Sequence, residues 1–201
     1  TRVVSVYFDC ADGRFAEAAL RTPEQSLKLR TKEYVPDLGH QGPPRCVVDV
    51  KRQRGEVITK HSSWVSRSAV RAIFCGSAEE ALAFGADALA AHASVRTATG
   101  GEPLRPVVAV SYLRTVYQGS SELRITVDRE LAFHRGDTDL LLGPEPVTAK
   151  ALGRPVARDG RVIVEVKHVG ETAPGWIEPL LRDRRTPFSK FGAAMTILGE
   201  R

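Results

Sequence analysis

The 201-residue sequence is poor in cysteine, methionine and aromatic residues, with three, one and 6% respectively. Cys10, Cys46 and Cys75 are odd in number, far apart and free of CxxC spacing. That argues against a disulfide framework or a cysteine zinc site and fits a reducing, cytoplasmic setting. No apolar run approaches the roughly 20 residues that cross a bilayer as a helix, and no basic-then-apolar leader follows Thr1. GxxxxGK followed by Ser or Thr, GxGxxG after a strand, GxSxG and HExxH are all missing. P-loop, dinucleotide, nucleophile-elbow and zincin chemistries are therefore set aside. His40, His61, His92, His134 and His168 are scattered and read as surface or hairpin residues rather than ligands. There is no internal repeat and no low-complexity segment.

What is present is enough apolar material for a core, 42%, and a formal charge of +5. The length suits a single domain over 1–201. The basic surplus points to an anionic partner, but only convergence of the basic residues makes a site of it. The informative pattern is charge on alternate residues of strand-like segments: Lys28-Leu29-Arg30, Asp49-Val50-Lys51, Tyr112-Leu113-Arg114, Arg124-Ile125-Thr126-Val127-Asp128 and Glu165-Val166-Lys167. Residues i and i+2 of a strand share a side, so each segment sends charges to one face and apolar residues to the other. Five such strands predict an α+β fold: an antiparallel β-barrel around a charged interior, a tunnel for a polyanion, with helices packed on its apolar outside.

Along the chain, strands are expected over Val3–Asp9 and Ser26–Val35, then a loop over 36–44. A hairpin of Arg45–Arg54 and Glu56–Val65 turns at Gly55. Helices are expected over Ser66–Phe74 and Ser77–Ala93, the second with Ser77 and Glu80 as a capping box and Leu82, Ala86, Leu89 and Ala93 as its buried stripe. After a loop over 96–103, strands return at Arg105–Gln118, Glu122–Phe133 and Arg161–His168. Pro174–Asp183 and Phe188–Leu198 read as helices.

These residues resemble the vacuolar transporter chaperone (VTC) domain, the polyphosphate polymerase branch of the triphosphate tunnel metalloenzymes. Ser5-Val6-Tyr7-Phe8-Asp9 is similar to its SxYFD strand and Lys28-Leu29-Arg30 to its basic strand. Asp49-Val50-Lys51 is similar to its acidic-x-Lys strand, with Asp49 where glutamate is common, and Lys60 falls on the strand after it. Tyr112-Leu113-Arg114, Arg124 to Asp128, Val164 to Lys167 and Ser189-Lys190-Phe191 resemble its YxR, RxTxD, xExK and closing SKF segments, in the family's order. The resemblance also implies a further upstream segment with an early basic strand, so that this chain opens at the family's second strand.

By this resemblance the phosphate-binding set is Lys28, Arg30, Lys51, Lys60, Tyr112, Arg114, Arg124, Ser189 and Lys190, with Lys51, Arg114, Arg124 and Lys190 catalytic. Arg and Lys supply the charge-assisted bonds that hold phosphate oxygens, and without an anion such a cage is expected to repel itself. A carboxylate among cations suggests a divalent metal, Mn²⁺ or Mg²⁺, held by Glu165; the alternative is that Glu165 and Lys167 belong to a cross-strand ion-pair ladder on an exposed face. Tyr112 either supports a phosphate oxygen or is a core tyrosine. The implied reaction transfers the γ-phosphate of ATP onto polyphosphate and releases ADP, with an acceptor already ionised and no side-chain base. A triphosphate hydrolase of the same fold and a non-catalytic polyphosphate-binding module stay open. The implied partners are ATP, triphosphate and polyphosphate, with a membrane protein as a further candidate. Nucleic acid is not expected, because the aromatics that stack bases are scarce.

Overall fold

The computed structural model describes residues 1–35, 43–119, 123–135, 137–170, 175–182 and 186–199. Eight strands form one sheet in which every paired neighbour is antiparallel: β1 (Arg2–Asp9), β2 (Leu27–Val35), β3 (Arg45–Arg54), β4 (Val57–Ser66), β5 (Arg105–Gln118), β6 (Leu123–His134), β7 (Ala157–Asp159) and β8 (Ile163–His168). The order is β4-β3-β2-β1-β5-β6, and β7 and β8 pair with the two halves of β6. β1 lies in the middle, and its β-branched and aromatic residues are buried from Val3 to Asp9. The β3–β4 hairpin turns through Gly55 at φ 59, the left-handed region that costs glycine least.

The expected closed barrel is not formed. Among the described residues β4 pairs only with β3 and β8 only with β6, so the sheet is open with these strands at its edges. It is nevertheless strongly curled. Lys51 on β3 is influenced by Glu165 and Lys167 on β8, although a flat sheet with strands about 4.8 Å apart would separate them by roughly 24 Å. Two register shifts supply the bend, one at Tyr7/Phe8 and one at Ser111/Leu113, where Glu130 adopts φ 56. An extra residue in one strand increases twist and bends the pair locally.

The helices are α1 (Arg14–Arg21), α2 (Val70–Cys75), α3 (Ala78–Leu82), α4 (Ala86–Thr99), α5 (Thr138–Leu142), α6 (Glu178–Arg182) and α7 (Lys190–Gly199). The apolar sheet face packs on α2 and α4: Phe8 stacks on Phe74 at 3.8 Å, and Ile73, Ala91 and Val95 join the same core. Burying each such large side chain contributes about 1.5–3 kcal/mol.

Four expectations need correction. The helix expected over Ser77–Ala93 is two helices, because Gly85 at φ 104 breaks it; the Ser77–Glu80 capping box is present. The expected stripe is therefore out of phase beyond the break, and α4 buries Ala88, Ala91, His92, Val95 and Thr99 while Leu82 is exposed. The first expected helix starts late, since Ser66 still belongs to β4. Finally, the helices are not all outside. α7 reaches the charged face, with Phe191 stacked on Tyr7 at 4.9 Å. The sequence reading also missed α1, α5 and β7. The first of these has its first-turn N–H groups satisfied by Asp9, whose carboxylate accepts those of Phe15 and Ala16.

Candidate anion-binding site

Strand alternation and register place the charges in cross-strand rows on the concave face. Lys28, Lys51 and Lys60 stand opposite one another on β2, β3 and β4, and Arg30, Asp49 and Ser62 form the next row. On the other side of β1, Arg114 faces Asp128, while Arg124 faces Lys167 and Thr126 faces Glu165.

Two buried carboxylates organise these cations. Asp49 pairs with Arg30 at 2.9 Å, Lys32 at 3.1 Å and Lys60 at 3.2 Å, and it accepts the Ser62 hydroxyl at 2.7 Å. Burial would raise its pKa, yet Arg30, Lys32 and Lys60 outweigh burial and hold it far below the usual carboxylate range. Arg30 also donates to the Tyr7 hydroxyl at 3.2 Å. Asp128 accepts Arg114 Nε and Nη2, both at 2.7 Å, and Lys190 Nζ at 2.6 Å. It too is lowered despite burial, by its bonds to Arg114 and Lys190. Both of these cations approach the Tyr112 ring, Lys190 Nζ at 4.7 Å and Arg114 Cζ at 5.3 Å from its centroid. Tyr112 is 1% exposed and burial pushes its hydroxyl up to about 12, so it is a neutral wall residue.

Beside the Asp49 node, Lys28 and Lys51 face each other on β2 and β3, half-buried and, among the described residues, without a carboxylate at ion-pair distance. Lys28 is lowered by burial and by Lys51 and Arg30; Lys51 is lowered by burial and by Arg30, with Glu165 only partly opposing. Like charges directly opposite on adjacent strands destabilise the sheet, and an anion between them removes that cost.

The structure therefore brings Lys28, Arg30, Lys51 and Lys60 together around one end of the groove and Tyr112, Arg114 and Lys190 around the other. Arg124 is exposed on the same face at the wetter end of β6. Ser189 does something more local: its hydroxyl accepts the N–H of Gly192 and caps α7, which presents Lys190. Sequence reasoning gave no site role to Asp128, Lys32 or Tyr7 and no firm role to Asp49. The i, i+2 spacing of Lys32 to Arg30 was a usable signal, whereas the pairing of Asp49 with Arg30 became visible only with the register. The expectation of a self-repelling cage needs correction accordingly, since Asp49 and Asp128 neutralise part of it.

Glu165 has a half-exposed carboxylate, 3.4 Å from Lys167 and 3.5 Å from the Thr126 hydroxyl. Burial raises its pKa but Lys167, Arg114 and Lys190 bring it below the usual value, so it is ionised. Among the described residues the one cluster of three close metal-ligating groups, Asp9, Cys10 and Asp12, involves an Asp9 already occupied by α1. A half-exposed, ionised carboxylate such as Glu165 is the kind of group that contributes to a metal site completed by substrate phosphates, as Mg²⁺ sites commonly are. A separate cavity of about 370 Å³, lined by Leu27, Arg52 and Arg54 among others, belongs to the opposite side of β2 and β3.

With this geometry in place, the whole chain can be compared with known proteins. Residues 1–199 match the family model of the VTC domain. The chain belongs to the VTC domain family. No curated protein matches the sequence. In this VTC domain the family-like segments fall on β1, β2, β3, β5, β6, β8 and the start of α7, and all but the Asp9 cap and the Ser189 cap place side chains on the concave face. No helix among the described residues is long and apolar enough to cross a membrane.

Proposed function

We propose that this VTC domain is a polyphosphate polymerase-type phosphotransferase that binds polyphosphate and the triphosphate of ATP along its concave face. The observation that carries the reading is the half-buried pair of Lys28 and Lys51, two ammonium groups opposite each other on adjacent strands with lowered pKa values, flanked by carboxylate-fixed arginines and lysines. A surface ion-pair network would match charge with charge; this face keeps cations in excess.

Phosphoryl transfer needs positioning and stabilisation of the equatorial oxygens more than side-chain chemistry. Lys51, Arg114 and Lys190 grip those oxygens, with Arg30, Lys28 and Lys60 holding the neighbouring phosphates and Arg124 the mouth of the groove. The ionised terminal phosphate of the acceptor attacks the γ-phosphorus of ATP, the γ-phosphorus–oxygen bond to the β-phosphate breaks, and ADP leaves with that oxygen. A divalent metal, Mn²⁺ or Mg²⁺, held by Glu165 and the substrate's own oxygens would neutralise charge between adjacent phosphates. The free state of the three cysteines suits a cytoplasmic protein.

The test is incubation with ATP and Mn²⁺ or Mg²⁺ followed by sizing of the products. Long chains are expected. Orthophosphate alone would make the domain a hydrolase, and tight tripolyphosphate binding with no turnover would make it a binding module. Glu165→Gln should abolish metal-dependent turnover and leave metal-free tripolyphosphate binding intact, because it removes charge and little volume. An unchanged rate in this variant would take Glu165 out of the reaction.

A further inference from the structure

Asp128 is 2% exposed, and both its oxygens are occupied by cations. The bidentate bond takes the Nε and Nη2 edge of the Arg114 guanidinium. A planar fork held on one edge has lost its rotational freedom, and its remaining N–H donors point in one fixed direction. Lys190 is held in the same way: one proton goes to Asp128, and the Tyr112 ring lies beneath the ammonium at 4.7 Å. The two cations come from distant parts of the chain, β5 and the first turn of α7, and the shared carboxylate is the group that hydrogen-bonds both of them, above the Tyr112 ring that both approach.

We infer that Asp128 is a positioning and specificity residue: it does not touch substrate, but it fixes Arg114 and Lys190 as one rigid pair whose spacing suits linked phosphates. This rests on the reading of the concave face as a phosphate site. A carboxylate in an anion site weakens anion binding by repulsion, so its presence must be offset by what it orients. Removing its charge frees two cations that bind anions well but indiscriminately, which separates this role from a simple contribution to affinity or to folding.

The test compares Asp128→Asn and Asp128→Glu with Arg114→Ala, using calorimetric binding of tripolyphosphate and of sulfate and, separately, turnover with ATP. Asp128→Asn should bind sulfate several-fold more tightly and keep or gain affinity for tripolyphosphate, so that the tripolyphosphate-to-sulfate preference falls about tenfold. Its kcat should fall at least tenfold with KM unchanged or lower. Asp128→Glu retains the charge but moves it by one methylene; it should lose the same preference with a smaller loss of thermal stability, and it keeps the test available if the Asn variant folds poorly. An unaltered anion preference in the folded Glu variant, or parallel loss of tripolyphosphate and sulfate affinity as in Arg114→Ala, would overturn the inference. The anion preference does not depend on catalysis. A wild-type chain that binds tripolyphosphate without turning over ATP would refute the polymerase reading while the binding comparison still decides the role of Asp128.

Discussion

Two buried carboxylates with arginine partners, Asp49 on the concave face and Glu33 on the helix-covered face, show opposite electrostatics. Asp49 faces Arg30, Lys32 and Lys60 and is held far below its ordinary value against burial. Glu33 is buried and pushed up to about 7, with Arg67 and the N–H of Val147 only partly opposing. Arg67 is itself 0% exposed, stands 2.9 Å from Glu33 through Nε and donates through Nη2 to the Leu141 carbonyl at 2.7 Å. On the helix-covered face one cation meets one carboxylate, both buried, and ties β2 to the segment from α5 to Val147. On the concave face cations exceed carboxylates and are partly exposed. A balanced buried pair is a structural tie; a cation-rich cluster is unfinished until an anion completes it.

The largest test of this contrast is Arg67→Met. It leaves Glu33 buried without its cation, and breaking such a pair costs about 3–5 kcal/mol. The thermal midpoint should fall by roughly 6 to 20 °C for a domain of this size, while tripolyphosphate affinity stays within about twofold among molecules that remain folded. A weakened affinity with an unchanged midpoint would reverse the assignment of the two faces.

Next in size is the response to ligand. Tripolyphosphate at a hundredfold excess over its Kd should stabilise the fold by about 2.7 kcal/mol, seen as a midpoint rise of roughly 5 to 10 °C. Sulfate at equal ionic strength should do far less, because one small anion does not span both nodes. Equal shifts would mean general screening of a basic protein rather than completion of a site.

The concave face can then be graded within itself. Arg114→Ala should weaken tripolyphosphate binding about tenfold to a hundredfold, the range for one hydrogen-bonded charge of about 1.5–3 kcal/mol. Arg124→Ala should cost no more than about fivefold, since an exposed charge is worth at most about 1 kcal/mol. Neither variant should unfold the chain, because Lys190 still neutralises Asp128 and Arg124 is exposed. Equal losses in titration calorimetry would show that burial does not rank these residues.

The smallest effect is a difference in pH dependence. Glu33 has a raised value, so its contribution to stability is complete below its unfolded value near 4.5 and is lost as pH rises through about 7. Asp49 and Asp128 have lowered values, so theirs is present above the ordinary aspartate range and is lost as pH falls through their depressed values. Denaturant titrations should therefore lose the slope between pH 5 and pH 7 in Glu33→Gln and lose part of the acid limb in Asp49→Asn, each variant leaving the other limb in place. Identical profiles for the two variants would mean that the carboxylates are not distinguished by their surroundings.

Much of the sheet was readable because its signal is local. The alternation in Lys28-Leu29-Arg30 and Asp49-Val50-Lys51 gives both the strand and its charged side, and the observed β2 and β3 follow it. The helical region was less readable: Gly85 interrupts a run of residues whose composition is helical on both sides, and the buried stripe changes phase there. The loop expected over 36–44 falls mostly outside the described residues.

Which residues face the same side of each strand follows from the order of residues alone, because a period of two is a property of the backbone and needs no partner. The sequence also supplied the surplus of cations. Whether the strands close into a barrel, which the described ones do not, and which charges neutralise one another were settled by packing in three dimensions. Arg114 and Lys190 are 76 positions apart in the numbering, yet they share Asp128 because the curl of the sheet and the packing of Phe191 on Tyr7 bring α7 to β6. Ion-pair energies depend on distance and burial, and neither is set until the strands are in register and the helix is docked.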